Sequence, residues 1–186
     1  MGTDLDRPRT ALGPLAARDP AAAAVLRLLR AHDGSMTRAA EALSGGPVHV
    51  IVHAQAPLPA LPAQTPLPPR DAPPPGPCLQ RLISLCAADG TVLLDSLSYL
   101  PLAGLDAADR EALLAGRTPI GQLLDGRWQR RHPVEPAPGF WDPLWACVGR
   151  PDPAAARAQW LAHQGGPSWL VAEVLRGGMV RAVTPA

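Results

Sequence analysis

Residues 159–176, QWLAHQGGPSWLVAEVLR, constrain the fold more than any other part of the chain. Two apolar runs flank Gly165-Gly166-Pro167, a combination typical of a chain reversal, because glycine accepts positive φ and proline fixes its own φ. The second run contains β-branched and aromatic residues, which favours a strand over a helix. The sequence therefore predicts a β-hairpin, and so tight a reversal implies antiparallel strands.

Glu173 lies on the apolar side of the second strand of this hairpin. Because strand side chains alternate between two faces, Glu173 shares its face with Trp169, Val171 and Leu175. An ionised carboxylate among apolar groups is costly unless it is paired or solvated. Arg81 shows the same anomaly, since its face of the run CLQRLISLC is otherwise aliphatic. These two charged residues are the candidate functional residues.

Cap and turn signals divide the rest of the chain into helices and strands. Four positions have the side chains that typically begin helices. They are Asp19, Ser35, Asp106 and Thr118. Asp89-Gly90, between two apolar runs, is a strong hairpin signal. The order of two helices, three strands, two short helices and three strands predicts an α+β fold, a six-stranded antiparallel sheet with helices packed on one side.

The chain is long enough to bury a core, and we predict a single domain over residues 19–176. Residues 1–18 show no strong periodicity and are predicted to be a loose leader, and residues 177–186 are predicted to be a tail. Residues 57–77 contain ten prolines, which cannot fill a strand ladder, because proline has no N–H to donate. We predict a long loop or flap over the sheet there.

Charge and hydropathy argue against several classes of function. The 17 basic and 16 acidic residues leave a net charge of +1 without a basic block, so the footprint of a nucleic-acid-binding protein is missing. The first residues mix both signs of charge and lack the apolar core of a signal peptide, and no apolar run approaches the length of a membrane span. Three cysteines without CxxC spacing are typical of reduced thiols. We expect a cytoplasmic protein.

Common catalytic and metal-binding patterns are also missing from the sequence. The chain has no glycine-rich phosphate loop, no zinc-binding spacing and no GxSxG motif. His49 and His53 could contribute to a metal site, but no third ligand lies at a suitable spacing. The cysteines lie in apolar runs, where a buried thiol is a poor nucleophile.

Arg81 and Glu173 leave two interpretations open. They could form a buried ion pair with each other, which adds little net stability, because desolvation offsets most of the Coulomb attraction. Alternatively, they could stand at opposite ends of a small apolar cavity. Arg81 would then hold a carboxylate through its planar guanidinium, and Glu173 would hold or exchange a proton with a hydroxyl group.

Four segments form a pattern that is more specific in combination than any of them is alone. They are LLRAHDGSMT at 28–37, QRLISLCAADG at 80–90, GRTPIGQLL at 116–124, and Leu144-Trp145 followed by GGPSWLVAEVL at 165–175. In this order they resemble the chorismate pyruvate-lyase family. The resemblance covers most of the chain from residue 28 onward.

The resemblance implies a reaction, a fold and a site. Enzymes of this family eliminate pyruvate from chorismate to give 4-hydroxybenzoate for ubiquinone-type biosynthesis, without a metal or organic cofactor. Their fold is a six-stranded antiparallel sheet with helices on one side. By position, Arg81 would bind the ring carboxylate, Glu173 would act at the hydroxyl end, and Met36 and Ile120 would line the carboxylate end. The expected partners are chorismate and 4-hydroxybenzoate, with no nucleic acid.

The chain departs from the family at Leu97, where an arginine usually precedes a Ser or Thr, here Ser98. The alternative function is a non-catalytic aromatic-acid-binding module of the same fold, like the ligand-sensing domain of GntR-type regulators. Such regulators carry an N-terminal winged helix, for which residues 1–46 are short and weakly charged. The two hypotheses differ in whether chorismate is turned over.

Overall fold

The computed structural model describes residues 9–70, 76–103, 105–124, 129–163 and 168–181. The turn predicted at Gly165-Gly166-Pro167 lies outside these residues, as do parts of the predicted leader, the Pro-rich segment and the tail. Within the described ranges, no helix is long and apolar enough to cross a membrane.

Six strands form one antiparallel sheet. They are β1 (Val48–Leu58), β2 (Cys78–Ala87), β3 (Val92–Pro101), β4 (Gln129–Val134), β5 (Ala156–His163) and β6 (Trp169–Leu175). Their spatial order is β1-β2-β3-β6-β5-β4, and every neighbouring pair is antiparallel. Two runs of three consecutive strands therefore meet where β3 pairs with β6, and the predicted six-stranded sheet is confirmed.

Seven α-helices lie within the described ranges. They are α1 (Leu12–Ala16), α2 (Pro20–Ala31), α3 (Met36–Ser44), α4 (Ala107–Leu114), α5 (Ile120–Leu123), α6 (Asp142–Val148) and α7 (Gly178–Arg181). A short 3-10 helix at Pro153–Ala155 precedes β5.

Three of the four predicted helix starts, at Asp19, Ser35 and Asp106, are confirmed by the hydrogen bonds of the cap residues. At the fourth, α5 does begin directly after Thr118-Pro119, but its N-cap is Pro119 and no side-chain hydrogen bond caps it. Asp19 accepts a bond from the Ala21 N–H at 2.9 Å, and Asp106 accepts one from the Asp109 N–H at 2.8 Å. Ser35 caps the first turn of α3 in the same way. Each side chain satisfies an N–H that has no acceptor within its own helix, which is why these positions begin helices.

The predicted hairpins join the strands that the sequence indicated. Between β2 and β3, Gly90 has a φ of 85°, and Asp89 accepts a hydrogen bond from the Thr91 N–H at 2.8 Å. Glycine suits this turn because it alone adopts positive φ without a steric penalty. β5 and β6 pair with Leu161 opposite Trp169, which confirms the antiparallel arrangement predicted for that segment.

The two faces of the sheet are covered differently. On one face, which we call the helical face, Leu85 and Leu94 pack with α1, α2, α3 and α7, while Leu79 and Trp169 pack with α4 and α5. On the opposite face, Leu97 and its neighbours pack with α6. The helices thus lie on one side of the sheet as predicted, with the short α6 as an addition on the other side.

The structure differs from the prediction at both ends of the domain. Leu12, within the expected loose leader, is completely buried in α1, and the N–H groups of Leu12 and Gly13 donate to Asp152 Oδ2 at 2.8 and 3.2 Å. In the expected tail, Met179 and Val180 of α7 are buried. Helices this short depend on tertiary contacts rather than on a visible periodicity.

Candidate functional site

A cavity opens between the helical face of the sheet and the N-terminal ends of α3 and α5. The space inside it, together with the solvent-filled space at its open mouth, amounts to about 520 Å³. Side chains of β2, β3 and β6 form its floor, and Met36, Thr37 and Pro119-Ile120-Gly121 form its roof. Met36 and Ile120, which the resemblance assigns to the site, both lie in this roof.

Glu173 stands on the floor of this cavity, on β6, and is 7% exposed. Arg157 lies directly opposite on β5. The Arg157 Nε donates to Glu173 Oε2 at 2.8 Å, and the Arg157 Nη2 lies 2.7 Å from the same oxygen. The Nη2 approach is close but poorly directed for a hydrogen bond, so it adds electrostatic attraction to the Nε bond. Glu173 is therefore one half of a buried ion pair.

Arg157 is also anchored to the end of a helix. Its Nη1 donates to the carbonyl oxygens of Leu29 and His32 at 2.8 and 2.9 Å. These residues close α2, where carbonyls lack partners within the helix and the helix dipole favours a cation. Arg157 thus connects Glu173 to the segment that immediately precedes α3, so it links the floor of the cavity to its roof.

Arg131 is the cation that lines the cavity. Its Nη2 donates to Gln129 Oε1 at 3.3 Å, whereas its Nε is buried without a hydrogen-bond partner among the described residues. The pKa of the Arg131 guanidinium is lowered, mainly by burial, and the positive charge of Arg157 lowers it further. The carboxylates of Glu173 and Asp33 oppose this shift. A buried donor without an acceptor costs free energy, and an anion in the cavity would remove that cost.

Arg81 does not line the cavity. Its side chain is completely buried, its Nη1 donates to the Thr118 carbonyl at 3.1 Å, and its Nη2 donates to the Gly116 carbonyl at 2.6 Å. Burial lowers the pKa of the guanidinium to about 10, so it remains a cation at neutral pH. Arg81 holds the backbone that leads into the roof segment Pro119-Ile120-Gly121 instead of facing a ligand.

The structure brings together three of the four predicted site residues. Met36, Ile120 and Glu173 line one cavity, and Arg81 lies outside its wall. The alternative interpretation, an ion pair between Arg81 and Glu173, is also not observed, because Glu173 pairs with Arg157 and Arg81 binds backbone carbonyls.

Arg157 and Arg131 were missed from the sequence, and only one of them had a usable signal. Arg157 lies as far before Gly165 as Glu173 lies after it, so a symmetric hairpin would have predicted their pairing. Arg131 follows Arg130 in the chain. Only one of two adjacent strand residues can face the cavity, and nothing in the sequence indicates which one does.

The departure from the family at Leu97 lies away from the cavity. Leu97 is completely buried on the opposite face of the sheet, in the apolar cluster that α6 covers. The next residue, Ser98, is on the helical face, with its Oγ 3.3 Å from the Ser96 Oγ. An apolar residue at position 97 therefore extends the second core rather than changing the site.

A separate polar cluster is buried on the opposite face. Asp95 accepts hydrogen bonds from Arg176 Nε at 2.6 Å, from Arg9 Nε at 3.2 Å and from Ser84 Oγ at 2.5 Å. The His53 Nε2 lies 2.7 Å from the same Ser84 hydroxyl. This cluster ties the segment before α1 to the sheet. In the part of the chain that the structure describes, no group of three His, Cys, Asp or Glu side chains could hold a metal ion.

Comparisons with known proteins give only distant similarities to solved structures. No protein-family model and no curated protein sequence matches the chain. Among solved structures, the chain is similar to PhnF from Mycobacterium smegmatis, with 17% identity, a TM-score of 0.42, and coverage of 79% of this chain and 65% of that one. It thus spans less than two thirds of the PhnF chain.

A second similar structure is the ligand-binding domain of a transcriptional regulator assigned to the GntR family, from Bordetella bronchiseptica. Its identity is 15% and its TM-score 0.37, with coverage of 70% of this chain and 84% of that one. Both similarities are distant in sequence and in structure. The fold is an antiparallel six-stranded sheet with helices on one side, and the chorismate pyruvate-lyase family remains a prediction from the sequence.

Proposed function

We propose that the chain is a ligand-binding module that holds a small aromatic carboxylic acid in the cavity beneath α3 and α5. The observation that carries this proposal is that Arg131 lines the cavity while its Nε is buried without an acceptor among the described residues. A ligand carboxylate would supply that acceptor. Because guanidinium binds carboxylates through two parallel hydrogen bonds, Arg131 would fix the orientation of the ligand as well as its position.

The rest of the lining suits the body of an aromatic ring. Much of the remaining wall is aliphatic, and burial of a ring against such side chains is the main source of affinity in small-molecule sites. These aliphatic residues are Ile83, Leu85, Leu94, Leu161 and Val171. A flat apolar body with one carboxylate is therefore the ligand that the lining favours.

Glu173 supports a second polar contact at the other end of the ligand. Its Oε2 is bound by Arg157, and within the described chain no hydrogen bond reaches its other carboxylate oxygen. That oxygen could accept a hydrogen bond from a ring hydroxyl. 4-Hydroxybenzoate combines the carboxylate, the ring and the hydroxyl, and we expect it to be a good probe.

Two contacts favour binding over catalysis. Arg81, which the family resemblance assigns to the ring carboxylate, donates to two backbone carbonyls. Glu173, which it assigns to the hydroxyl end, is tied to Arg157. Both groups would have to exchange these partners before taking part in an elimination.

Chorismate pyruvate-lyase activity is the second candidate function. It is favoured by Met36, Ile120 and Glu173, which line the same cavity, as the resemblance implies. Chorismate would lose its enolpyruvyl ether as pyruvate, with removal of the ring hydrogen at C4, so that aromatisation drives the reaction. Orientation of chorismate in a largely dry site would be the main contribution of the protein.

Two measurements on the purified protein separate these functions. Calorimetric titration with 4-hydroxybenzoate should show saturable binding with one ligand per chain, and cyclohexanol should not bind, because it lacks the carboxylate. Incubation with chorismate, with pyruvate measured by coupled reduction to lactate, should show no pyruvate beyond the spontaneous rate. Absence of carboxylate binding would contradict the proposed module. Catalytic release of pyruvate with 4-hydroxybenzoate would instead establish the lyase.

A further inference from the structure

We infer that Arg157, through Glu173, makes the cavity selective for acids that carry a hydrogen-bond donor at the end remote from their carboxylate, and against acids that carry a second carboxylate there. This inference rests on the proposed function, since it assumes that Arg131 holds the first carboxylate. Arg157 acts as a positioning residue, because it does not line the cavity itself.

The geometry of the pair fixes the position of Glu173 and gives its carboxylate a counter-ion. The side chains of Arg157 and Glu173 are only 10% and 9% exposed, and both Nε and Nη2 of Arg157 approach the same oxygen, Oε2. A charge-assisted contact of this kind in a poorly solvated place is stronger than one at the surface. The ionised carboxylate is acceptor-only, so Glu173 presents an acceptor to the cavity.

Arg157 cannot easily leave Glu173 to serve a ligand. Its Nη1 donates to the carbonyls of Leu29 and His32, which hold the guanidinium at the end of α2. The cross-strand register places the backbones of Arg157 and Glu173 opposite each other. The guanidinium is thus held from two directions, and the carboxylate stays between it and the cavity.

These contacts decide which ligand groups are accepted at the Glu173 end. A hydroxyl, amine or amide N–H would find an acceptor there. A second carboxylate would lie against the negative charge of Glu173. Repulsion between the two like charges would strongly disfavour binding of that ligand. Of the charged side chains that line the cavity within the described ranges, Arg131 is the only cation, and it is engaged by the first carboxylate.

A pair of ligands of equal size tests this selectivity. Terephthalate has a carboxylate at each end of the ring, and 4-carbamoylbenzoate replaces one of them by a neutral amide that donates hydrogen bonds. We expect calorimetric titration to show that the amide binds at least about tenfold more tightly than the dicarboxylate. 4-Hydroxybenzoate should likewise bind more tightly than 4-fluorobenzoate, which has no donor.

Two variants identify the source of the selectivity. Glu173→Gln removes the negative charge and leaves Arg157 without its counter-ion, so the preference for the amide should fall by about tenfold or reverse. Adding Arg157→Gln to that variant removes the uncovered cation, and the preference should move back toward the amide. A merely structural role of Arg157 would not produce this second shift. Glu135→Gln, at an exposed position on the loop after β4, is the control and should keep the wild-type ratio.

The outcomes distinguish this inference from the proposed function. Equal binding of terephthalate and 4-carbamoylbenzoate by the wild-type protein would overturn the selectivity and leave the carboxylate-binding module intact. Binding of none of the acids would overturn both. Because the wild-type ratio is decisive alone, a variant that fails to fold does not remove the test.

Discussion

Three arginines lie in or near the wall of the cavity, and their guanidinium groups have different hydrogen-bond partners. Arg81 donates to backbone carbonyls, Arg157 to a carboxylate and to the end of a helix, and Arg131 to one amide oxygen. In both Arg81 and Arg131, the Nε is buried without a hydrogen-bond partner among the described residues. Arginine stays charged when buried, because its pKa lies far above neutrality. What distinguishes Arg131 from the other two is its place in the lining of the cavity, where a ligand can approach it.

Arg131→Gln should weaken 4-hydroxybenzoate binding by about 10- to 100-fold. The change removes a charged hydrogen bond worth about 1.5–3 kcal/mol while retaining much of the side-chain volume. The measurement is calorimetric titration at low salt. Arg130→Gln is a matched control, since Arg130 is the adjacent residue on β4 and is exposed. Equal affinities of the two variants would remove Arg131 from the site.

Arg81→Met should loosen the roof of the cavity with a much smaller effect on affinity than Arg131→Gln. It deletes the hydrogen bonds to Gly116 and Thr118 but also removes a desolvated cation, and these effects partly offset each other. Amide hydrogen exchange in residues 120–124 should accelerate. Arg117→Met, at an exposed neighbouring position, should leave the exchange unchanged. A loss of affinity as great as that of Arg131→Gln would instead mean that Arg81 contacts the ligand.

At the scale of elements, the roof depends on the close approach of α3 and α5. A Cβ added at Gly121 would lie 2.5 Å from the Ser35 Oγ and from the Thr37 Oγ1, and 2.8 Å from the Thr37 Cβ. Only glycine allows this approach, because any side chain at this position would force the two helices apart. The absence of a side chain at Gly121 therefore sets the distance between α3 and α5, and with it the width of the cavity.

Gly121→Ala should lower the free energy of unfolding by about 1–3 kcal/mol, the usual cost of overpacking, and should weaken ligand binding as α5 moves away from α3. Urea denaturation and calorimetry measure the two effects. Gly46→Ala is the control, since a Cβ there would meet nothing within 4 Å. If Gly121→Ala keeps wild-type stability and affinity, the contact between the helices does not set the cavity width.

The elements that were predictable from the sequence are those with local signals. Asp19 and Ser35 cap their own helices, and Asp89-Gly90 makes its own turn, so each is encoded within a few residues. α1 and α7 were not predicted, because these short helices are held by distant groups such as Asp152. The choice between Arg130 and Arg131, and the backbone partners of Arg81, likewise depend on contacts between segments that are far apart in the chain.

At the scale of the whole molecule, the stability should fall as the pH rises above about 9. Burial raises the pKa of the Cys78 thiol above its usual 9.0, and burial also raises the pKa of the Tyr99 phenol above 10.0. For Cys147, burial is the largest cause of its raised pKa, with Asp95 adding to the rise and Arg9 opposing it.

The sign of this dependence follows from proton binding. Above pH 9 the unfolded chain releases its thiol protons while the folded protein retains them, so the folded state loses stability relative to the unfolded state. Urea midpoints measured from about pH 8 to pH 10 should decline, and Cys78→Ala combined with Cys147→Ala should flatten the decline. A constant midpoint in the wild-type protein would contradict the raised pKa values.

The meeting of the two three-stranded runs at β3 and β6 has a consequence for how the molecule could be divided. Ser96 on β3 and Glu173 on β6 are paired across this boundary and both contact the cavity. A bound acid would therefore contact both three-stranded halves of the sheet and stabilise their association. The chain could be expressed as two separate fragments, divided between α5 and β4. These fragments should associate at lower protein concentration when 4-hydroxybenzoate is present, because the ligand binds only to the assembled pair.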